Sequence, residues 1–146
     1  MVYTVGEMAK LLGVTAPTLR YYDKEGLLPN IERSSGIRKF SDRDLETLNV
    51  IECLKKSGLE IKDIRQFIQW CAEGNGTYSK RLELFIKQKE NVEKEMKRLE
   101  KTRAMLQFQC WYYEQAIEDG NEDNLKKMLP DKLPPEIQKI YDFAHE

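Results

Sequence analysis

From Tyr78 onward the apolar residues of this chain recur every seven positions, at Tyr78, Phe85, Val92, Leu99, Leu106 and Tyr113. Seven residues close two helical turns, so these side chains fall in one stripe along an α-helix. The residues four further on, Leu82, Lys89, Met96, Arg103, Cys110 and Ile117, form a second row beside it. A helix over 77–118 would be ~60 Å long at ~1.5 Å per residue, and no small domain can bury such a stripe along its length. The pattern therefore predicts a coiled coil with a second copy of the chain. Leu82, Phe85, Val92, Met96, Leu99, Leu106 and Tyr113 are the expected contact residues. Lys89 and Arg103 in the second row lower stability but favour a two-stranded pairing of fixed register. A helix folded back on its own domain is the other reading of the same stripe.

Gly74-Asn75-Gly76 separates this helix from a head over 1–73. Thr4-Val5-Gly6-Glu7 has the form of a capping box, and Val5, Met8, Ala9, Leu11 and Leu12 keep helical spacing up to Gly13. Thr15 is a second N-cap, with Pro17 in the first turn where a missing N–H costs nothing. Two short helices joined by Gly13-Val14-Thr15 make a helix-turn-helix. In the second helix Leu19 and Tyr22 face inward, while Thr18, Arg20, Tyr21 and Lys24 face out. Pro29 to Phe40 reads as a hairpin turning at Ser34-Ser35-Gly36. Ser41 to Asp44 caps a third helix with Leu45, Leu48, Ile51 and Leu54 on one side. A fourth over 59–72 presents Ile61, Ile64, Phe67 and Ile68. After Asp119-Gly120-Asn121 the tail over 119–146 holds three prolines and one short amphipathic helix around Ile137, Ile140, Tyr141 and Phe143, too little for a domain. The expected fold is all-α with a small β-hairpin wing: a winged helix-turn-helix head (1–73), a dimerisation helix (77–118) and a short tail (119–146).

Charge excludes little. The chain carries 34 % charged residues and a formal net charge of -1. Up to Arg43 it has seven Lys/Arg against five acids, a surplus of two cations. No basic stretch leads into an apolar run, and no run approaches the ~18–20 residues of a membrane helix, so a soluble cytoplasmic protein is expected. Three cysteines without an export signal argue against a disulfide framework. The single histidine, His145, has no nucleophile or base around it, and the chain carries no phosphate loop and no cofactor fingerprint. An enzyme is not expected.

The pieces Tyr3-Thr4-Val5-Gly6-Glu7-Met8-Ala9, Gly13-Val14-Thr15, Thr18-Leu19-Arg20-Tyr21-Tyr22-Asp23-Lys24-Glu25-Gly26-Leu27-Leu28-Pro29 and Gly36-Ile37-Arg38-Lys39-Phe40-Ser41-Asp42-Arg43-Asp44-Leu45 together resemble the MerR family of bacterial regulators. The resemblance is continuous to about residue 70 and extends to the layout of the long helix. It implies a homodimer with antiparallel long helices, bound to palindromic promoter DNA that it distorts so that RNA polymerase can use it. Carried over by position, Thr15, Thr18, Arg20 and Tyr21 would meet DNA from the helix-turn-helix and Arg33 and Arg38 from the wing; Lys24 and Lys39 join them by charge. Two departures stand out: Ile37 and Phe40 occupy positions where the family usually has Tyr. The wing then lacks a phosphate-directed hydroxyl, and Arg38 and Lys39 take more of that task.

The signal is the least specified part. Metal-sensing relatives place cysteines around the end of the long helix, but here only Cys110 lies within it. A metal-responsive regulator is thus an alternative rather than the expectation, and no metal site or cofactor is expected. The segment Val50 to Gly58 with Ile61 to Ile68 resembles the thiol-dependent branch that answers small electrophiles, and Cys53 would be its thiol, near Lys55, Lys56 and Arg65. Against this stands a plain packing role for Cys53, bordering the core beside Leu54. Cys71 and Cys110 read as packing residues. The rival from another class is a coiled-coil adaptor that binds no nucleic acid.

Overall fold

The computed structural model describes all 146 residues, which divide into two compact units, Met1–Asn91 and Val92–Glu146. The first contains β1 (Val2–Tyr3), α1 (Val5–Leu12), α2 (Ala16–Lys24), β2 (Glu32–Ser34), β3 (Ile37–Ser41), α3 (Asp42–Lys56), α4 (Ile61–Glu73), a 3-10 turn (Asn75–Thr77) and the start of α5 (Tyr78–Asp119). The second contains the rest of α5, α6 (Asp123–Met128) and α7 (Pro135–Ala144).

The helix starts follow from local chemistry. Thr4 accepts from the Glu7 N–H, and the Glu7 carboxylate accepts from the Thr4 N–H at 2.9 Å, a reciprocal capping box. The hydrogen bond from the Thr4 N–H, followed by the effect of the Thr4 hydroxyl, holds the exposed Glu7 carboxyl below its usual range. Ser41 and Asp44 repeat the device at α3. Gly13, with φ of 68°, closes α1 in the left-handed conformation and turns the chain into Thr15, the N-cap of α2. In the hairpin both central residues have positive φ, 52° at Ser35 and 78° at Gly36, as a type I′ turn requires.

β1 adds a third strand to the hairpin. The sheet order is β1-β3-β2, antiparallel throughout, with Tyr3 opposite Phe40 and Arg33 opposite Arg38. Its inner face closes on a core in which Met8, Leu19, Tyr22, Leu27, Phe40, Leu48, Ile51 and Ile64 are fully buried. Each such side chain withdrawn from water contributes ~1.5–3 kcal/mol before entropy is charged against it. Leu84 of α5 packs against this core, and Phe85 meets Phe67 edge to face at 5.4 Å. The α4–α5 joint is held by polar contacts: Thr77 Oγ1 donates to the Trp70 carbonyl at 2.6 Å, and Arg81 Nη2 donates to the Gly74 carbonyl at 2.8 Å. These satisfy carbonyls that the end of α4 leaves without helical partners.

The second unit departs from the expectation of a tail with one helix. Leu125 of α6 and Leu133 are buried together with Phe108 and Tyr112 of α5, and Tyr141 of α7 stacks edge-on against Phe108 at 5.0 Å. Gln138 accepts from the Leu133 N–H and donates to the Pro130 carbonyl, both at 2.9 Å, which fixes the proline-rich connection. The tail therefore has a core, because α5 lends it two aromatic side chains. No helix is long and apolar enough to cross a membrane.

Candidate nucleic-acid interface

The helix-turn-helix presents α2, and α2 divides cleanly into two sets of side chains. Leu19 and Tyr22 point into the core and are fully buried. Arg20, Tyr21 and Lys24 are exposed, and Thr18 is half-buried. Neither Arg20 nor Lys24 makes an ion pair, so both cationic heads are available to a ligand. Thr15 caps the helix through the Thr18 N–H at 3.3 Å, and the two hydroxyls share a hydrogen bond at 2.8 Å. At this end of α2 Pro17 carries no N–H and the Thr18 and Leu19 N–H groups bond to Thr15, so the helix start is satisfied within the chain.

Three anchors fix α2, each to a different element. The Tyr22 hydroxyl donates to Glu52 Oε1 at 2.5 Å and accepts from Lys55 Nζ at 3.0 Å, tying α2 to α3. Burial, followed by the hydrogen bond to the Glu52 carboxylate, pushes the Tyr22 phenol far above its ordinary pKa. Arg65 of α4 donates through Nε to the Glu25 carbonyl and through Nη2 to the Glu25 carboxylate, both at 2.7 Å, closing the C-terminal end of α2. The third anchor is Asp23: Arg33 Nη2 and Arg38 Nε both donate to its Oδ2 at 2.6 Å, tying α2 to the wing.

Arg33 and Arg38, expected to meet DNA from the wing, share one carboxylate oxygen of α2. Arg38 and Lys39, expected to take more of the phosphate-directed task, lie on opposite faces of β3, since successive residues of a strand alternate. Lys39 is exposed on the face of Ile37 and makes no ion pair. Phe40, read as a wing residue that had lost a hydroxyl, is fully buried in the core, where a hydroxyl would reach no phosphate. Ile37 is 64 % exposed, so of the two positions only this one would present a hydroxyl to solvent.

The cysteines are free, and all three are exposed. Cys53 does not border the core closely enough to be covered; it lies on the outer side of α3, next to Glu52 and two positions from Lys55. Cys71 is not a packing residue either. It sits at the edge of an open cavity of about 370 Å³ lined by Leu27, Leu28, Val50, Phe67 and Ile68. Cys110 is exposed because the α5 stripe to which it belongs has no cover within the chain. Along that stripe Leu82, Phe85, Val92, Met96, Leu99, Leu106 and Tyr113 are 38 to 61 % exposed. Sequence reasoning missed Asp23, Glu52 and Arg65. An acid in a basic helix was the one available signal, and it points to a partner only once the wing is known to fold back.

Comparison with known proteins agrees with this geometry. Residues 3–70 match the model of the MerR HTH family regulatory proteins. An HTH-type transcriptional regulator of Haemophilus influenzae is 40 % identical over 117 residues, covering 80 % of this chain and 87 % of that one. The HTH-type transcriptional regulator AdhR of Bacillus subtilis is 32 % identical over 89 residues, covering 60 % of this chain and 64 % of that one. Among solved structures, HiNmlR, a MerR family regulator lacking the sensor domain and bound to promoter DNA, superposes with a TM-score of 0.75 at 38 % identity, covering 85 % of this chain and 99 % of that one. A MerR family transcriptional regulator from Bacillus thuringiensis gives a TM-score of 0.68 at 41 % identity, covering 73 % and 95 %. These relatives are regulators of transcription and not enzymes. With its helix-turn-helix, three-stranded wing and long helix, the chain belongs to the MerR family and is a DNA-binding transcriptional regulator.

Proposed function

We propose that this regulator acts as a homodimer on a two-fold symmetric promoter operator. The recognition helix α2 enters the major groove with Thr18, Arg20, Tyr21 and Lys24, while Thr15 and the wing residues Arg33, Arg38 and Lys39 follow the phosphate backbone. The observation that carries the reading is the division of α2 into a buried, three-way anchored side and an outer side whose cations have no partner within the chain. The apolar stripe of α5 supplies the dimer, since fifteen large apolar side chains, most of them on α5, are exposed in the single chain. Pairing through α5 fixes the separation of the two α2 helices, so the operator must deform to meet both; a bent promoter of this kind is what RNA polymerase would then read.

The same reading assigns the signal to Cys53, whose thiolate would add to the carbonyl carbon of a small reactive aldehyde while the C=O π pair moves to the oxygen, which takes a proton from water to leave a hemithioacetal. Two features support it: the sulfur is exposed, and the neighbouring Glu52 and Lys55 grip Tyr22 of the recognition helix. An adduct on this face of α3 has a short route to α2. The experiment is footprinting of the chain's own promoter with and without small electrophiles, using wild type, Cys53→Ser, Cys71→Ser and Cys110→Ser. Protection of two symmetric half-sites that changes on treatment, in all but Cys53→Ser, is the expected result. A response that survives in Cys53→Ser moves the signal elsewhere, and absence of half-site protection removes the dimeric operator.

A further inference from the structure

Asp23 occupies an unfavourable place for a carboxylate. It lies in the last turn of α2, where the helix dipole disfavours negative charge, and on the helix that meets a polyanion. Its side chain is only 10 % accessible, yet it belongs to a face otherwise furnished with cations. The wing explains what holds it there. Arg33 and Arg38 are directly opposite each other across β2 and β3, a like-charge pair that destabilises a hairpin. One oxygen of Asp23 takes a hydrogen bond from each, so the triad carries one net positive charge where the bare wing would carry two.

We propose that Asp23 is a specificity-setting positioning residue: it holds the two wing arginines in one register against α2 and removes one unit of charge from the sequence-independent attraction to phosphate. The proposal rests on the assignment of α2 and the wing to DNA. Two effects follow from one carboxylate. Indiscriminate duplex binding, which scales with the phosphates a protein neutralises, is reduced. Operator binding is spared, because α2 and the wing arrive in the relative position that the operator backbone requires.

The test compares wild type, Asp23→Asn and Asp23→Glu on two duplexes, an operator selected from random DNA by the full chain and a scrambled version of equal length. Each is titrated from 50 to 200 mM salt. Asp23→Asn should bind the scrambled duplex more tightly at low salt. The dependence of log affinity on log salt should steepen by about 0.9, so affinity falls roughly threefold more than wild type across that fourfold range. Its operator preference should shrink, and Asp23→Glu should restore both. In an Arg33→Gln, Arg38→Gln background, Asp23→Asn should no longer steepen the slope, because the residue acts through the arginines. An unchanged or shallower slope in Asp23→Asn overturns the proposal, as does the same steepening in the absence of the arginines. Should Asp23→Asn fail to fold, the Arg38 Nε–H resonance of wild type decides. It should keep its position on addition of scrambled duplex, and displacement would overturn the assignment. A wild-type chain that does not distinguish operator from scrambled DNA would overturn this proposal and the DNA reading together, which none of the Asp23 outcomes does.

Discussion

Removing one oxygen atom from the recognition helix should be costly. In Tyr22→Phe the ring keeps its place in the core, but Glu52 loses a donor and Lys55 an acceptor. A hydrogen bond to a charged group contributes ~1.5–3 kcal/mol. Two are lost here, yet Glu52 is half-buried and Lys55 exposed, so water recovers part of both, and a net loss of about 2 kcal/mol is expected. Guanidinium unfolding at pH 8 should show the midpoint falling with an unchanged slope, since the surface exposed on unfolding is the same. The loss should also shrink in alkali. The folded phenol has a pKa raised above its unfolded value, so its contribution is complete below about pH 10 and declines as pH rises from there towards the folded value. One proton per pH unit amounts to ~1.4 kcal/mol, so the penalty of Tyr22→Phe at pH 11 should be about 1 kcal/mol smaller than at pH 9. A penalty below about 0.5 kcal/mol at pH 8, or one that does not change between pH 9 and 11, would refute the Tyr22–Glu52–Lys55 anchor.

Three further outcomes are expected. Arg65→Gln breaks an exposed contact and should cost no more than ~1 kcal/mol of stability, yet operator affinity should fall several-fold because the C-terminal end of α2 loses its tie to α4; anisotropy showing wild-type affinity would contradict this. Leu99→Glu combined with Leu106→Glu puts four charges into a paired stripe and should give a monomer in sedimentation at tens of micromolar; a surviving dimer would place the contact off α5. Leu125→Ala, at a position 1 % exposed, should remove ~2–4 kcal/mol from the C-terminal unit. Hydrogen exchange should then quicken in α6 and α7 and stay unchanged in α1 to α3, and a loss of protection spread through the head would refute that separation.

What the residues alone disclosed follows the range of the forces involved. Caps act over three residues, so Thr4 with Glu7, Thr15 with Pro17, and Ser41 with Asp44 located three helix starts without any knowledge of the fold. The seven-residue spacing likewise revealed α5. β1 was illegible because two residues become a strand only by pairing with Ser41 and Phe40, some forty positions away. α6 was illegible because six residues are too few to show a period, and its one buried side chain, Leu125, finds cover only on α5. The exposed side chains of α2 followed from helical geometry, whereas the contacts of Asp23 depend on how a hairpin ten to fifteen residues later folds back. Phe40 was misread for the same reason: which face of a strand is inside is settled by the layer beneath it.

The anchoring of α2 has a consequence for how operators change. Tyr22, Asp23 and Glu25 tie the helix to its neighbours, and Arg20, Tyr21 and Lys24 face outward with no tie to α3, α4 or the wing. On the proposed reading of α2, substitutions in the outward group should alter what is recognised and leave the mounting of the helix untouched, because surface changes of this kind shift stability by only about 0.5 kcal/mol or less. New target sites are therefore within reach of single replacements that do not endanger folding, and a library randomised at Arg20, Tyr21 and Lys24 alone should yield folded proteins with altered operators at high frequency.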